Sequence, residues 1–306
     1  MDGKNDRTAL NTGESGILYV VATPIGNMAD ITFRAVQTLK EVALIAAEDT
    51  RHTKRLMEHY AIRNKMISFH EHNEKQRTGE LLERLEKGDS IAIVSDAGTP
   101  TLSDPGYRLI KAVASSDIHI VPIPGPSAAV ASLSVSGLPT DAYVFVGFLP
   151  RKAGKRQTLL DALVDERKTI IFYESPRRIK ALIGDLIETL GDRPGVLSRE
   201  MTKRHEEFIR GPLSEILHEL TERRDIKGEC TLVVKGAEKK DPPGAETLRE
   251  EIVKGLHRDG IRLSDLVKNI ANRHGLPKKQ VYAEALRIKS SHDFSGRDSV
   301  APNNNE

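Results

Sequence analysis

Two α/β domains forming a cleft, followed by a small C-terminal helical extension, is the architecture this sequence predicts. Three observations predict it. Continuous apolar runs alternate with amphipathic segments through the first half, the pattern of parallel strands covered on both faces by helices. The alternation restarts near Leu138–Tyr143. A polar stretch punctuated by proline and glycine, EKKDPPGAE, then separates off a purely helical end. The 306 residues suffice for two domains of about 100–150 residues, each with its own core.

The elements follow in order. In the first domain the apolar stretches GILYVVATP, ALIAAED, MISFH, SIAIVSD and IHIVPIPG read as strands. Between and after them ITFRAVQTLKEV, TRHTKRLMEHY, NEKQRTGELLERLEKG, DPGYRLIKAVASS and the small-residue PSAAVASLSVSG read as helices. The second domain runs strand AYVFVGFLP, helix RKAGKRQTLLDALVDE, strand KTIIFYESP and helix RRIKALIGDLIETLG. Strands PGVLSREMTK and HEEFIRGPL, helix SEILHELTERR and strand GECTLVVKG complete it, with more antiparallel pairing expected. In the extension LREEIVKGLHRDG is a helix, and RLSDLVKNIANRHGLPKKQVYAEALRIK is helix, Gly-Leu-Pro turn, helix. Val281, Ala285 and Ile288 share a face there, as in a helix-turn-helix module or a plain helical hairpin. The expected boundaries are a disordered leader 1–15, domains 16–138 and 139–237, a linker 238–246, the extension 247–290 and a loose tail 291–306.

Composition excludes several classes. The net charge is +2, so no global basic field announces nucleic acid, and any basic site is local. The single cysteine, Cys230, has no internal disulfide partner, and no Cys/His cluster has zinc spacing. No apolar run approaches the ~20 residues of a membrane span. The N-terminus lacks an apolar signal core, and a cytoplasmic protein is expected.

Parallel sheets bind ligands at the carboxyl ends of their strands, so the strand-to-helix corners are where chemistry is expected. ATPIGNMADIT has Gly26 and Asn27 for a tight turn and Asp30 or Thr32 as a helix cap, and it matches neither the dinucleotide nor the triphosphate glycine pattern. AAEDTRHTKR places Glu48, Asp49 and Arg51 directly after a buried strand, either as ligand groups or with Asp49 or Thr50 as a cap. In VSDAGTPTLSDPG the backbone of Ala97-Gly98-Thr99 is open to a ligand. Asp104-Pro105-Gly106 reads there as a helix start, with Asp104 the N-cap. Two aspartates without further ligands do not make a metal site, and none is expected. PIPGPSAAVASL brings the small residues Ser127, Ala128 and Ala129 to a helix start, which fits an adenosine edge or close packing equally. In FYESPRR and SREMTKRHEE, the residues Arg177, Arg178, Arg199, Lys203 and Arg204 make the second-domain corners basic, able to hold an anionic polymer by its phosphates.

Taken together, TPIGNMADIT, AEDTR, SDAGTPTLSDPG, PGPSAA, FYESPRR, REMTKRHEE and GECTLVV resemble, in order, the rRNA-methylating branch of the tetrapyrrole methylase (class III) superfamily, from about Gly16 to Gly236. The resemblance implies a homodimer that binds S-adenosylmethionine in an interdomain cleft. The reaction it implies is 2′-O-methylation of a cytidine ribose in the decoding region of 16S rRNA, free or within the small ribosomal subunit. It carries the cofactor contacts onto Pro24, Ala97, Gly98, Thr99, Leu102, Ser127, Ala128, Glu174, Met201 and Cys230. Tetrapyrrole-modifying members have a glycine-rich first loop and a Gly-Asp-Pro third loop; here these are TPIGN and AGTP, which favours the rRNA branch.

A ribose hydroxyl needs help to lose its proton, and Glu48, Asp49, Glu200 and Glu206 are the candidate bases, with Lys203 or Arg51 as a neutralising cation. Arg51, Arg177, Arg178, Arg204, Lys278 and Lys279 are the candidate RNA contacts, joined by the basic segments RKAGKR and RHGLPKKQ. The aromatic residues Tyr173, Phe148 and Tyr107 are expected in the core rather than stacked on bases. The alternatives are a corrinoid-precursor or diphthine-type methyltransferase of the same superfamily, and a DNA-binding regulator with an α/β sensor.

Overall fold

The computed structural model describes residues 15–238, 244–256, 262–274 and 276–293. The expected leader (but for residue 15), most of the linker and most of the tail lie outside them.

The first domain is β1 (Ile17–Val21), α1 (Phe33–Glu41), β2 (Leu44–Ala47), α2 (Thr50–His59), β3 (Met66–Ser68), α3 (Glu74–Glu86), β4 (Ile91–Val94), α4 (Tyr107–Ala114), β5 (His119–Ile123) and α5 (Ala128–Ser134). Its sheet is parallel, in the order β3-β2-β4-β1-β5. Alternate residues of β2 serve opposite cores. Ile45 and Ala47 pack with Leu39 of α1 and Leu56 of α2, while Leu44 and Ala46 pack with Leu81 of α3 and Leu109 of α4. Burial on both faces is why LIAA and IAIV carry no polar residue. From β2 the chain runs on to β3 at one edge, and from β4 to β5 at the other. The crevice therefore opens between the carboxyl ends of β2 and β4.

Two helix starts follow the local capping rule. The Thr32 hydroxyl accepts the Ala35 amide 3.1 Å away, and Asp49 accepts the Arg51 amide at 2.8 Å, as N-caps do. Asp104 does not cap α4. The helix begins at Tyr107, and Gly106, with φ of 129°, precedes it. Its first amides are satisfied from another helix, for Glu74 Oε1 of α3 accepts from Gly106 at 3.1 Å and Arg108 at 2.9 Å. That buried glutamate takes over the capping role and leaves Asp104 for something else.

The second domain is β6 (Tyr143–Phe148), α6 (Ala153–Asp161), β7 (Thr169–Glu174), α7 (Ile179–Leu190), β8 (Pro194–Arg199), β9 (Glu207–Pro212), α8 (Leu213–Thr221) and β10 (Cys230–Val234). The sheet order is β6-β7-β10-β8-β9, with only β6-β7 parallel. One face packs on α7 and α8. The other, through Ile171 and Val233, packs on Ala129 and Leu133 of α5. The Ser132 and Ser198 hydroxyls meet there at 2.6 Å, and Ala129 donates its amide to the Tyr173 hydroxyl at 3.0 Å. Both sheets thus belong to one compact unit that ends at Ala237. β6 carries a bulge at Gly147, with φ of 68°, where a Cβ would lie 2.5 Å from Ser103 Oγ. Only glycine lets the first-domain loop come this close.

The extension forms a separate unit of three helices, α9 (Ala245–Leu256), α10 (Leu263–His274) and α11 (Lys278–Asp293). Val281, Ala285 and Ile288 do share a buried face, packed with Ile252 and Ile270. α9 begins inside the expected linker, and α11 runs past the expected end of the extension. No helix among the described residues is long and apolar enough to cross a membrane.

Candidate active site

The crevice is held by a reciprocal exchange between its two strand ends. After β2, the Asp49 amide donates to Asp96 Oδ1 at 3.0 Å; after β4, the Asp96 amide donates to Glu48 Oε2 at 3.2 Å. The loop after β4 is pinned next by Thr23, which exchanges both backbone hydrogen bonds with Gly98 at 2.8 and 3.0 Å. It then turns through left-handed conformations at Gly98, Thr101, Ser103 and Gly106. Thr101 and Ser103 are not glycine, and each holds about 1–3 kcal/mol of backbone strain. Such strain clusters where a loop is shaped for a ligand, and this loop carries Leu102 and Asp104 to the crevice.

A cavity of about 390 Å³ opens there, within the range of small-molecule sites. Ala97, Gly98, Thr99 and Leu102 line it from the first domain, Ser127 and Ala128 from the start of α5, and Glu174 and Cys230 from the second sheet. Of the other expected cofactor contacts, Pro24 lines an adjoining cavity of about 190 Å³, and buried Met201 lines neither. The backbone of Gly98 is already paired with Thr23, so it offers a ligand closeness rather than hydrogen bonds. The Ala97 and Thr99 amides have no partner among the described residues. α5 does both things its small residues allow: Ser127 and Ala128 face the cavity while Ala129 and Ser132 pack on the second sheet.

Three carboxyl groups share this cavity: Glu48, Asp96 and Asp104. None forms an ion pair among the described residues. Burial raises all three from their ordinary carboxylate values. Asp104 is raised to about 7, because the charges of Glu48 and Asp96 add to its burial. Asp104, expected only as an N-cap, is thus a residue of the site. The available signal was Gly106, which interrupts the Asp-Pro start before Tyr107.

The other acidic candidates are differently placed. Asp49 caps α2 and grips Arg51 through Nε at 3.1 Å and Nη2 at 2.7 Å, and that guanidinium holds it well below the usual range. It lines neither cavity. Glu200 is pushed up by burial, but Lys203 Nζ at 2.9 Å and the Glu229 amide at 3.1 Å outweigh this and leave it low. Lys203 itself lines the smaller cavity and also binds Glu229. Glu206 is exposed and accepts the Thr202 amide at 2.7 Å. Burial pushes the Cys230 thiol up to about 12, which makes it a wall rather than a nucleophile.

Arg178 is not presented to a polymer. It bonds buried Glu174 at 2.5 Å and the Leu149 carbonyl at 2.9 Å. Arg51, Arg177, Arg204, Lys278 and Lys279 are exposed. Phe148 and Tyr107, expected in the core, are exposed instead, and Phe148 lines the cavity. Tyr173 is half-buried, edge-on to Phe145 and Phe148. No cluster of His, Cys, Asp or Glu among the described residues has the makings of a metal site.

Residues 17–217 match the family model of the tetrapyrrole (corrin/porphyrin) methylases. The chain is 47% identical to the ribosomal RNA small subunit methyltransferase I of Synechocystis sp., over 90% of this chain and 99% of that protein. It is 43% identical to the protein of the same name from Halalkalibacterium halodurans, over 91% and 98%. Its fold is similar to that of uroporphyrin-III C-methyl transferase from Thermus thermophilus, a structure complexed with S-adenyl homocysteine. That likeness has a TM-score of 0.51 at 16% identity and covers 71% of this chain and 97% of the other.

Proposed function

The chain belongs to the tetrapyrrole (corrin/porphyrin) methylase family, and from this premise we propose that it transfers the methyl group of S-adenosylmethionine to a cytidine 2′-hydroxyl in the decoding region of 16S rRNA. The observation that carries the reading is the character of the larger cavity. It combines carboxyl groups that lack an ion-pair partner with small and apolar walls at a sheet's switch point. These residues fit a cofactor that has a cationic end and a flat adenosine end. When bound, it supplies a methyl group on a sulfonium, whose sulfur leaves as a neutral thioether.

The chain's own residues do the rest. Asp104 and Glu48 hold positive charge. Leu102, Ala97 and Ala128 give an apolar seat, and the Ala97 and Thr99 amides give hydrogen bonds. The walls from the second domain exclude water and fix the line of approach, which supplies much of the acceleration. The rRNA substrate is favoured over a tetrapyrrole by the names of relatives that match across nine-tenths of the chain, and by the TPIGN and AGTP loops.

Exposed Arg177, Arg204, Lys278 and Lys279 are the phosphate contacts in this reading. α11 also exposes Tyr282 and Lys289 on the side that carries Lys278, a basic face with an aromatic among it. Exposed apolar Leu102, Tyr107, Val130 and Val135 support a homodimer, to be checked by sedimentation. The protein works in the cytoplasm, where the small subunit is made. The decisive experiment maps 2′-O-methyl groups on 16S rRNA from cells with and without the gene. One decoding-region cytidine should lose its mark, and identical maps would end the proposal.

A further inference from the structure

The smaller cavity, about 190 Å³, lies against the larger one and shares with it a wall made of Ile25, Asp96, Ala97 and Glu229. The two differ in charge. The larger is acidic. The smaller is edged by His52 and Arg55 of α2 and by Lys203. Lys203 is engaged by Glu200 and Glu229. His52 and Arg55 are exposed and form no ion pair among the described residues. Two chambers unlike in charge and joined at one wall suit a methyl donor and an anionic acceptor whose reacting atoms must meet in line.

We infer that the smaller cavity seats the acceptor nucleotide of the RNA, with His52 and Arg55 on its phosphate and Asp96, on the shared wall, taking the proton of the hydroxyl that is methylated. This rests on the methyltransferase reading above. Asp96 has the geometry for the role. Its Oδ1 accepts the Asp49 amide, which fixes the carboxylate, and its Oδ2 remains for a hydroxyl. Glu48, Asp49, Arg51, His52 and Asp104 are the charged or titratable groups around it, with Lys203 and Glu229 on the smaller cavity's wall. Burial raises its carboxyl from the ordinary carboxylate value, the direction that favours a proton acceptor. Glu229, the other acid on the shared wall, is mostly exposed and tied to Lys203. In the transfer the 2′-oxygen forms its bond to the methyl carbon as the carbon–sulfur bond breaks, with that electron pair left on sulfur. The hydroxyl proton passes to Asp96 and then to water.

The test uses the full-length protein and an unmethylated 16S decoding-region RNA. Calorimetry first measures S-adenosylmethionine binding to the wild type; if there is none, the methyltransferase reading itself fails. With enzyme loaded with S-adenosylhomocysteine, Arg55→Gln should weaken RNA binding about tenfold and lower the slope of affinity against salt by about 1, with cofactor affinity unchanged. At saturating cofactor, Asp96→Asn should lower kcat by about 10²–10⁴-fold, keep RNA affinity and abolish the acid limb of the kcat–pH profile. Asp96→Glu, which keeps a carboxylate, should retain that limb even if the asparagine variant folds poorly. Wild-type RNA affinity and salt slope in Arg55→Gln would overturn the acceptor site. An acid limb intact in Asp96→Asn, or lost in Asp96→Glu, would overturn the role of Asp96.

Discussion

The strand ends of the two sheets use the same residue types to opposite effect. At the first sheet Glu48, Asp96 and Asp104 converge with no ion-pair partner, and burial raises all three. At the second, Glu207 is held between Arg199 at 2.9 Å and Arg223 at 2.6 Å and drops to about 2, chiefly through its bonds to Arg223. Glu200 is lowered in the same way by Lys203. The lesson is that acidic residues at a corner do not mark a site. Acidic residues that the fold leaves without cations do, because a cationic ligand can complete them.

The sharpest test of this contrast is the pH dependence of cofactor binding. Asp104 is half-protonated near pH 7 in the free protein and charges above it. Affinity for S-adenosylmethionine should therefore rise with pH below 7, by up to about tenfold per unit, and level off above it. Asp104→Asn should flatten that rise in calorimetric titrations, and an unaltered rise would break the comparison.

The same group makes a stability prediction. A carboxyl raised in the folded state binds its proton more tightly there than in the unfolded chain, so stability falls as pH rises from the ordinary carboxylate value towards about 7. Asp104→Asn removes that loss, and its melting temperature should gain on the wild type across this window and no further above it. Glu207 has the opposite sign. Its contribution is full above the ordinary range and is lost as pH falls towards 2. Because the group is partly exposed, Glu207→Gln should cost only about 1 kcal/mol, or about 2–4 °C in melting temperature, with cofactor affinity unchanged. The smallest effect is expected at Cys230. Its thiol stays protonated well above neutral pH, so iodoacetamide at pH 8 should leave it unlabelled by mass spectrometry.

The order and type of the strands and α-helices among the described residues were legible, because they rest on local periodicity and on punctuation such as the Gly-Leu-Pro that precedes α11 in the sequence. The loop residues around the larger cavity were legible as open corners. What misled was contact at long range. Asp104-Pro105 has the form of a helix start, and nothing nearby in the chain shows that Glu74, on another helix, already caps α4. Thr23 likewise claims the Gly98 backbone from 75 positions away. The pairings Asp49 with Arg51 and Glu200 with Lys203 lie within three positions, so their spacing already offered a reason to discount both acids as bases.

The exchange of hydrogen bonds between Glu48, Asp49 and Asp96 separates folding from chemistry within a single side chain. One oxygen of Asp96 secures a neighbouring strand end, and the other has no hydrogen-bond partner among the described residues. Asp96→Asn would still accept the Asp49 amide while losing its charge. The bond that ties the two strand ends thus survives a substitution that removes the charge, so inactivating drift at this position would show first in the methylation of rRNA.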